Sequence, residues 1–155
     1  MGVTNFDEYR DVFVVADTID DVVHPVTYEL IGQARRIAKE LGQLVQVMLL
    51  GENVQSEAEE LVAHGADIVH VFESPLLKYY TTDGYTKVLT DFFEDHKPNI
   101  LLIGATNNGR DLAPRMSGRM KNGVVADCTI LTVDTTEGLV AVSYTHLRAH
   151  ETLRH

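Results

Sequence analysis

Short apolar runs of β-forming residues alternate along this chain with stretches of helical periodicity, and that alternation leaves few folds open. Residues 11–16 read Asp-Val-Phe-Val-Val-Ala, and 44–50, 67–72 and 99–103 repeat the theme. Continuous runs of this kind fit strands buried on both faces. After the first run comes a loop through Asp20-Asp21, then Pro25 in the first turn of a helix. Leu30, Ile31, Ala34, Ile37, Ala38 and Leu41 mark its inner face, Arg35, Arg36, Lys39 and Glu40 its outer one, and Gly42 its left-handed cap. Ser56-Glu57-Ala58-Glu59 has the form of a capping box, opening a short helix with Ala58, Leu61 and Val62 inward and Gly65 at its end. An irregular connection at 76–80 precedes a third helix outlined by Tyr85, Val88, Leu89, Phe92 and Phe93 and stopped near Pro98. A fourth helix is expected over 110–120, with Leu112, Ala113, Met116 and Met120 inward, and final strands over 124–133 and 139–142.

Strands alternating with helices imply right-handed βαβ crossovers, hence an α/β, doubly wound, mostly parallel sheet with helices on both faces. Ligands of such sheets bind beyond the carboxyl ends of the strands, where strand order reverses. With a strand order of 3-2-1-4-5, two loops face that crevice: Ala16-Asp17-Thr18, and the glycine-bounded loop Gly104-Ala105-Thr106-Asn107-Asn108-Gly109. Gly104, Thr106, Gly109 and Arg110 are the candidate ligand-binding residues. The glycines allow close backbone approach, the following helix offers free N–H groups, and Arg110 adds charge. The spacing matches neither G-x-G-x-x-G nor the phosphate loop G-x-x-x-x-G-K-[ST]. A plainer account is a tight strand-to-helix turn, with Asn107 or Asn108 as N-cap. Asp111 and Arg115, four apart, are expected to form an intrahelical ion pair.

Composition narrows the function. The 155 residues suit one domain, and 45% apolar content suffices for a core. A net charge of −10 disfavours nucleic acid and anionic membranes as partners. There is no apolar run long enough to span a membrane, and the acidic opening does not read as a signal peptide. A single cysteine, Cys128, rules out an internal disulfide, so a cytoplasmic protein is expected. Cys128 lies in an apolar strand beside Asp127, which disfavours a thiolate. His24, His64, His70 and His96 are scattered, with no metal motif or triad-like grouping. An enzyme with its own catalytic constellation is not indicated. Residues 143–155, rich in histidine and without either periodicity, resemble translated adapter sequence and are set apart from the domain at 1–142 as a non-native tail.

The segment Gly104-Ala105-Thr106-Asn107-Asn108-Gly109-Arg110-Asp111-Leu112-Ala113-Pro114-Arg115-Met116-Ser117-Gly118-Arg119, continuing through Ala126-Asp127-Cys128-Thr129, resembles a hallmark of electron transfer flavoprotein α subunits. His64-Gly65-Ala66-Asp67 and Lys97-Pro98 fall in matching order, and the likeness covers about residues 9–142. The resemblance implies a Rossmann-like amino-terminal domain of adenine-nucleotide-hydrolase type, with the native protein continuing beyond Val142. It implies a scaffold that pairs with a β subunit in a heterodimer. The complex would carry electrons through FAD from dehydrogenases, such as the acyl-CoA dehydrogenases of fatty acid β-oxidation, to a downstream acceptor. FAD would be held mainly by a further, carboxyl-terminal domain, and no cofactor tightly by this one. The competing expectation is a free-standing adenine-nucleotide-binding domain of universal-stress type, using the 104–110 loop.

Overall fold

The computed structural model describes residues 9–121, 128–134 and 140–143. In chain order the elements are β1 (Val12–Val15), β2 (Thr18–Ile19), β3 (Val22–Val23), α1 (Pro25–Leu41), β4 (Val45–Gly51), α2 (Gln55–Ala63), β5 (Ile68–Glu73), a 3-10 turn (Pro75–Leu77), α3 (Thr82–Asp95), β6 (Ile100–Gly104), α4 (Asn107–Lys121), β7 (Thr129–Asp134) and β8 (Val140–Ser143). The main sheet runs β5-β4-β1-β6-β7-β8. Its first five strands are parallel, with Val12 paired to Val45 on one side and Ile100 on the other, and β8 returns antiparallel along β7. The parallel strands thus take the 3-2-1-4-5 order. The strand expected over 124–133 begins at Thr129, and 124–127 lie outside the described residues. β8 takes in Ser143, the first residue of the segment set apart on composition, and the rest of that segment lies outside the described residues.

Alternating side chains of the central strands divide the core into two layers, as the period of two requires. Phe13, Val15, Met48, Leu101 and Ile103 pack on one face against Leu89 and Phe93 of α3 and Leu112, Ala113 and Met116 of α4. Val12, Val14, Val45, Val47 and Leu102 pack on the other against Leu30, Ile31 and Ala34 of α1 and Leu61 of α2. All four residues of β1 are buried, which fits its place at the centre of the sheet. β5, an edge strand, is only partly buried. Two residues expected inward, Leu41 and Val62, lie exposed at the ends of their helices.

Three local expectations are corrected. The loop at Asp20-Asp21 is the turn of a hairpin between β2 and β3. Both aspartates have positive φ, 50° and 64°, as both central residues of a type I′ turn must. Aspartate tolerates that region, so no glycine marks the turn in the sequence. The capping box at Ser56 does not form: α2 starts at Gln55 behind Val54, with no side-chain cap. A carboxylate remote in sequence serves this end of the helix instead, because Glu73 accepts from the Val54 amide (2.9 Å). Glu57 turns outward from its own helix and accepts from the Val23 amide (2.7 Å). The Asp111–Arg115 pair is absent as well. Arg115 donates to Asp83 of α3 (2.7 Å), and Asp111 accepts from Tyr80 and Thr82.

Candidate functional site

The chain runs outward from β1 through β4 to β5, then returns to β6 on the other side of β1. Strand order therefore reverses between β1 and β6, and a cleft lies at their carboxyl ends. Ala16, Asp17 and Thr18 form one wall, and Gly104, Asn108 and Gly109 the other. Tyr80 and Tyr85 close it from the α3 side. Its cavity volume is about 20 Å³, room for roughly one water molecule.

The narrowness has identifiable causes. Gly109 lies in the first turn of α4, which begins at Asn107 rather than at Arg110. A Cβ on Gly109 would sit 1.8 Å from the Gly104 carbonyl oxygen, so the missing side chain lets the helix press directly onto the end of β6. A Cβ on Gly104 would come within 3.2 Å of Val26 of α1. Both glycines are thus accounted for by packing of helices against the strand end. Across the cleft the Tyr80 and Tyr85 rings meet edge to face, 5.0 Å between centroids. The Tyr85 hydroxyl donates to the Leu77 carbonyl (3.0 Å) and that of Tyr80 to Asp111 (2.7 Å). Burial, reinforced for Tyr80 by the bond to Asp111, pushes both phenols above their ordinary pKa. The bonds from Thr82 and Tyr80 hold the Asp111 carboxyl below its usual value, so it remains an acceptor.

The amino end of α4 is occupied by the protein itself. Thr106, rather than Asn107 or Asn108, is the capping residue: its hydroxyl oxygen accepts the Gly109 amide (3.1 Å) and donates to the Asp17 carboxylate. Asp17 thereby sets a negative charge beside the helix's positive end. Its own amide donates to Thr27 of α1 (3.0 Å), which fixes the loop that carries it. A phosphate approaching this helix would meet a capped amide and a carboxylate. Of the four candidate residues, Gly104 and Gly109 line the cleft and Thr106 is engaged as a cap. Arg110 lies exposed outside the lining, its amide bonded to the Thr106 carbonyl (2.8 Å).

Nothing in the sequence marks Tyr80 and Tyr85 as cleft residues. Tyr85 reads only as a helical core position, and Tyr80 only as part of an irregular connection. The wall at Asp17 and the two tyrosines come from segments far apart in the chain, so only the packing of α3 and α4 on the sheet brings them together. The histidines lie elsewhere. His24 caps α1, its Nδ1 accepting from the Val26 amide (3.0 Å). His70 bonds Gln46 (2.6 Å) and lies 6.0 Å from His96 between ring centroids. Cys128 is buried, and burial pushes its thiol far up, away from nucleophilic use. Among the described residues no group of three or more His, Cys, Asp or Glu could hold a metal ion, and no helix is long and apolar enough to cross a membrane.

Residues 12–151 match the electron transfer flavoprotein domain. The chain belongs to the electron transfer flavoprotein family. The match extends into 143–151, part of the tail set apart on composition. The electron transfer flavoprotein subunit alpha of Megasphaera elsdenii is 46% identical over 127 residues, covering 82% of this chain and 38% of that protein. The lactate dehydrogenase (NAD(+),ferredoxin) subunit LctC of Acetobacterium woodii is 45% identical over 134 residues, 86% of this chain and 32% of its own length. The acryloyl-CoA reductase electron transfer subunit beta of Anaerotignum propionicum is 43% identical over 130 residues, 84% and 35% respectively. The chain thus spans about a third of the length of these relatives. The described cleft does not fit the flavin the family name implies: its volume suits a water molecule, and Asp17 stands where a phosphate would approach α4.

Proposed function

We propose that this chain is the amino-terminal scaffold domain of an electron transfer flavoprotein α-type subunit. With a β subunit it would carry electrons through FAD from a dehydrogenase to a downstream acceptor. The narrow switch-point cleft supports the scaffold role: Tyr80 and Tyr85 line it, and the Thr106–Asp17 bond caps the helix beside it, where a doubly wound sheet ordinarily takes its ligand. Flavin holding then falls to parts of the complex outside this chain, and the domain contributes assembly rather than redox chemistry. Acyl-CoA dehydrogenases are one class of donor in this reading. The relatives named for lactate dehydrogenase and acryloyl-CoA reductase point to others, so the reading specifies electron transfer and leaves the substrate to the partner. A cytoplasmic location goes with it.

Calorimetric titration of the chain with FAD and with AMP, with and without a β-type subunit, tests the proposal. Complex formation with the β subunit, without FAD or AMP uptake by the chain alone, is the expected result. Stoichiometric FAD binding by the chain alone would remove the scaffold reading. Tight AMP binding would favour a free-standing nucleotide-binding domain centred on the 104–110 loop.

A further inference from the structure

At the end of the sheet opposite the cleft, a groove of about 680 Å³ runs between the second half of α1 and the turn joining α2 to β5. Arg35, Arg36, Lys39 and His64 line it, on a chain whose net charge is −10. Small residues leave the space. Gly32 has nothing within 4 Å of where a Cβ would stand, and Gly65, at φ 121°, lets the Arg35 stem lie across it. A Cβ on Gly65 would sit 2.3 Å from Arg35 Cδ, so packing against the turn positions that cation.

The arginines and the lysine have no acidic partner among the described residues. Arg36 bonds the neutral Gln33. Elsewhere on the surface, Lys78, Lys87 and Arg115 each pair with a carboxylate. Asp67, the acidic residue in the lining, accepts the Val45 amide (2.8 Å). The His64 Nδ1 donates to the Glu60 carbonyl (2.8 Å), leaving Nε2 for another partner.

We propose that this groove docks an acidic segment of a partner protein, its carboxylates pairing with Arg35, Arg36 and Lys39. The local backbone offers no amide cradle for phosphate, and the helix carboxyl ends hold the cations in place. α1 and α2 both bring their carboxyl ends here, and the amides of Gly42 and His64 are turned back onto helix carbonyls. The groove therefore has none of the helix amino-terminal N–H groups that commonly cradle phosphate, and recognition rests on side-chain cations, whose guanidinium forks pair bidentately with carboxylates. The chain's overall negative charge repels a long polyanion such as nucleic acid, and a short acidic segment feels chiefly the local cations.

The test is fluorescence anisotropy of the purified chain with a labelled oligoglutamate peptide, and with a single-stranded oligonucleotide of equal charge. The peptide should bind saturably, more weakly as salt rises, and more tightly than the oligonucleotide. In the doubly substituted R35E/K39E chain, peptide affinity should fall at least about tenfold. Lys87→Glu, on α3 and away from the groove, should leave it within about twofold. Both positions of the double variant are exposed, and an unchanged melting curve verifies its fold. Absence of peptide binding, equal loss in the Lys87 variant, undiminished binding by R35E/K39E, or preference for the oligonucleotide would each overturn the proposal.

Discussion

Glycine to alanine is the same chemical change at Gly109 and Gly118, both in α4, yet the structure predicts opposite signs. In a helix the substitution ordinarily stabilises by about 1 kcal/mol, because alanine loses less backbone entropy. Gly118 is exposed and a Cβ there meets nothing within 4 Å, so Gly118→Ala should gain most of that amount. At Gly109 the new Cβ would stand 1.8 Å from the Gly104 carbonyl oxygen, short of ordinary contact at roughly 3.5 Å by about 1.7 Å. The obstructing atom is backbone at the end of a buried strand, so no side chain can swing aside. The start of α4 would have to move, disturbing the Thr106 cap and the Leu112 contacts. Overpacking of this kind costs about 1–3 kcal/mol or somewhat more, which exceeds the propensity gain. We expect Gly109→Ala to be destabilised by about 2 kcal/mol net. In melting temperature that is a fall of roughly 6 °C for a chain of this size. Thermal and urea unfolding followed by circular dichroism would read both variants. A Gly109 variant as stable as the parent, or shifted in the same direction as the Gly118 variant, would refute the close-approach argument.

Other outcomes follow from the buried polar groups. Thr132 Oγ1, buried on β7, has no hydrogen-bond partner among the described residues, so Thr132→Val should stabilise by about 1 kcal/mol; a clear loss of stability in urea titration would contradict this. Cys128 should resist a thiol reagent at mildly alkaline pH in the native state and react once unfolded, and rapid native labelling would contradict its burial. Burial first, and then the neighbouring His96, hold the His70 pKa below 6.5. The unfolded chain therefore binds this proton first as pH falls. The contribution of His70 to stability is present above about 6.5 and is lost as pH drops through the folded midpoint. An NMR titration placing His70 at or above 6.5 would count against it.

Periodic features were the legible ones. The buried runs around Phe13 and Leu101 and the inward face of α4 follow from spacing alone, because layers of a parallel sheet impose burial on whole segments. Gly42, at φ 68°, ends α1 as expected. The features that local rules miss depend on contacts across the fold. Ser56 and Glu59 satisfy the local rule for a cap, yet Glu73 from the neighbouring strand serves the amide of Val54. Asp111 and Arg115 have the right spacing to pair, but Tyr80, Thr82 and Asp83 offer partners nearer in space. The glycines of the 104–110 segment were visible as a tight turn. Whether that turn held an anion or only a helix depended on Asp17, which reaches Thr106 from a loop 89 residues away in sequence.

That contact also bears on how a doubly wound fold can serve as a scaffold. An open helix amino terminus at a switch point is an anion site because its amides lack partners and its dipole is unopposed. Here Thr106 supplies a partner for Gly109, Asp17 opposes the dipole through the same hydroxyl, and two tyrosines narrow the remaining space to about 20 Å³. Each of these can be undone separately. Removing the carboxylate with Asp17→Asn would leave the cap and the tyrosines in place. Removing the Tyr80 ring would open volume but keep the charge. The crevice is thus closed twice over, sterically and electrostatically. A switch point shielded in both ways supports the proposed scaffold role, and the cations grouped at the opposite end of the sheet are the surface proposed to meet a partner.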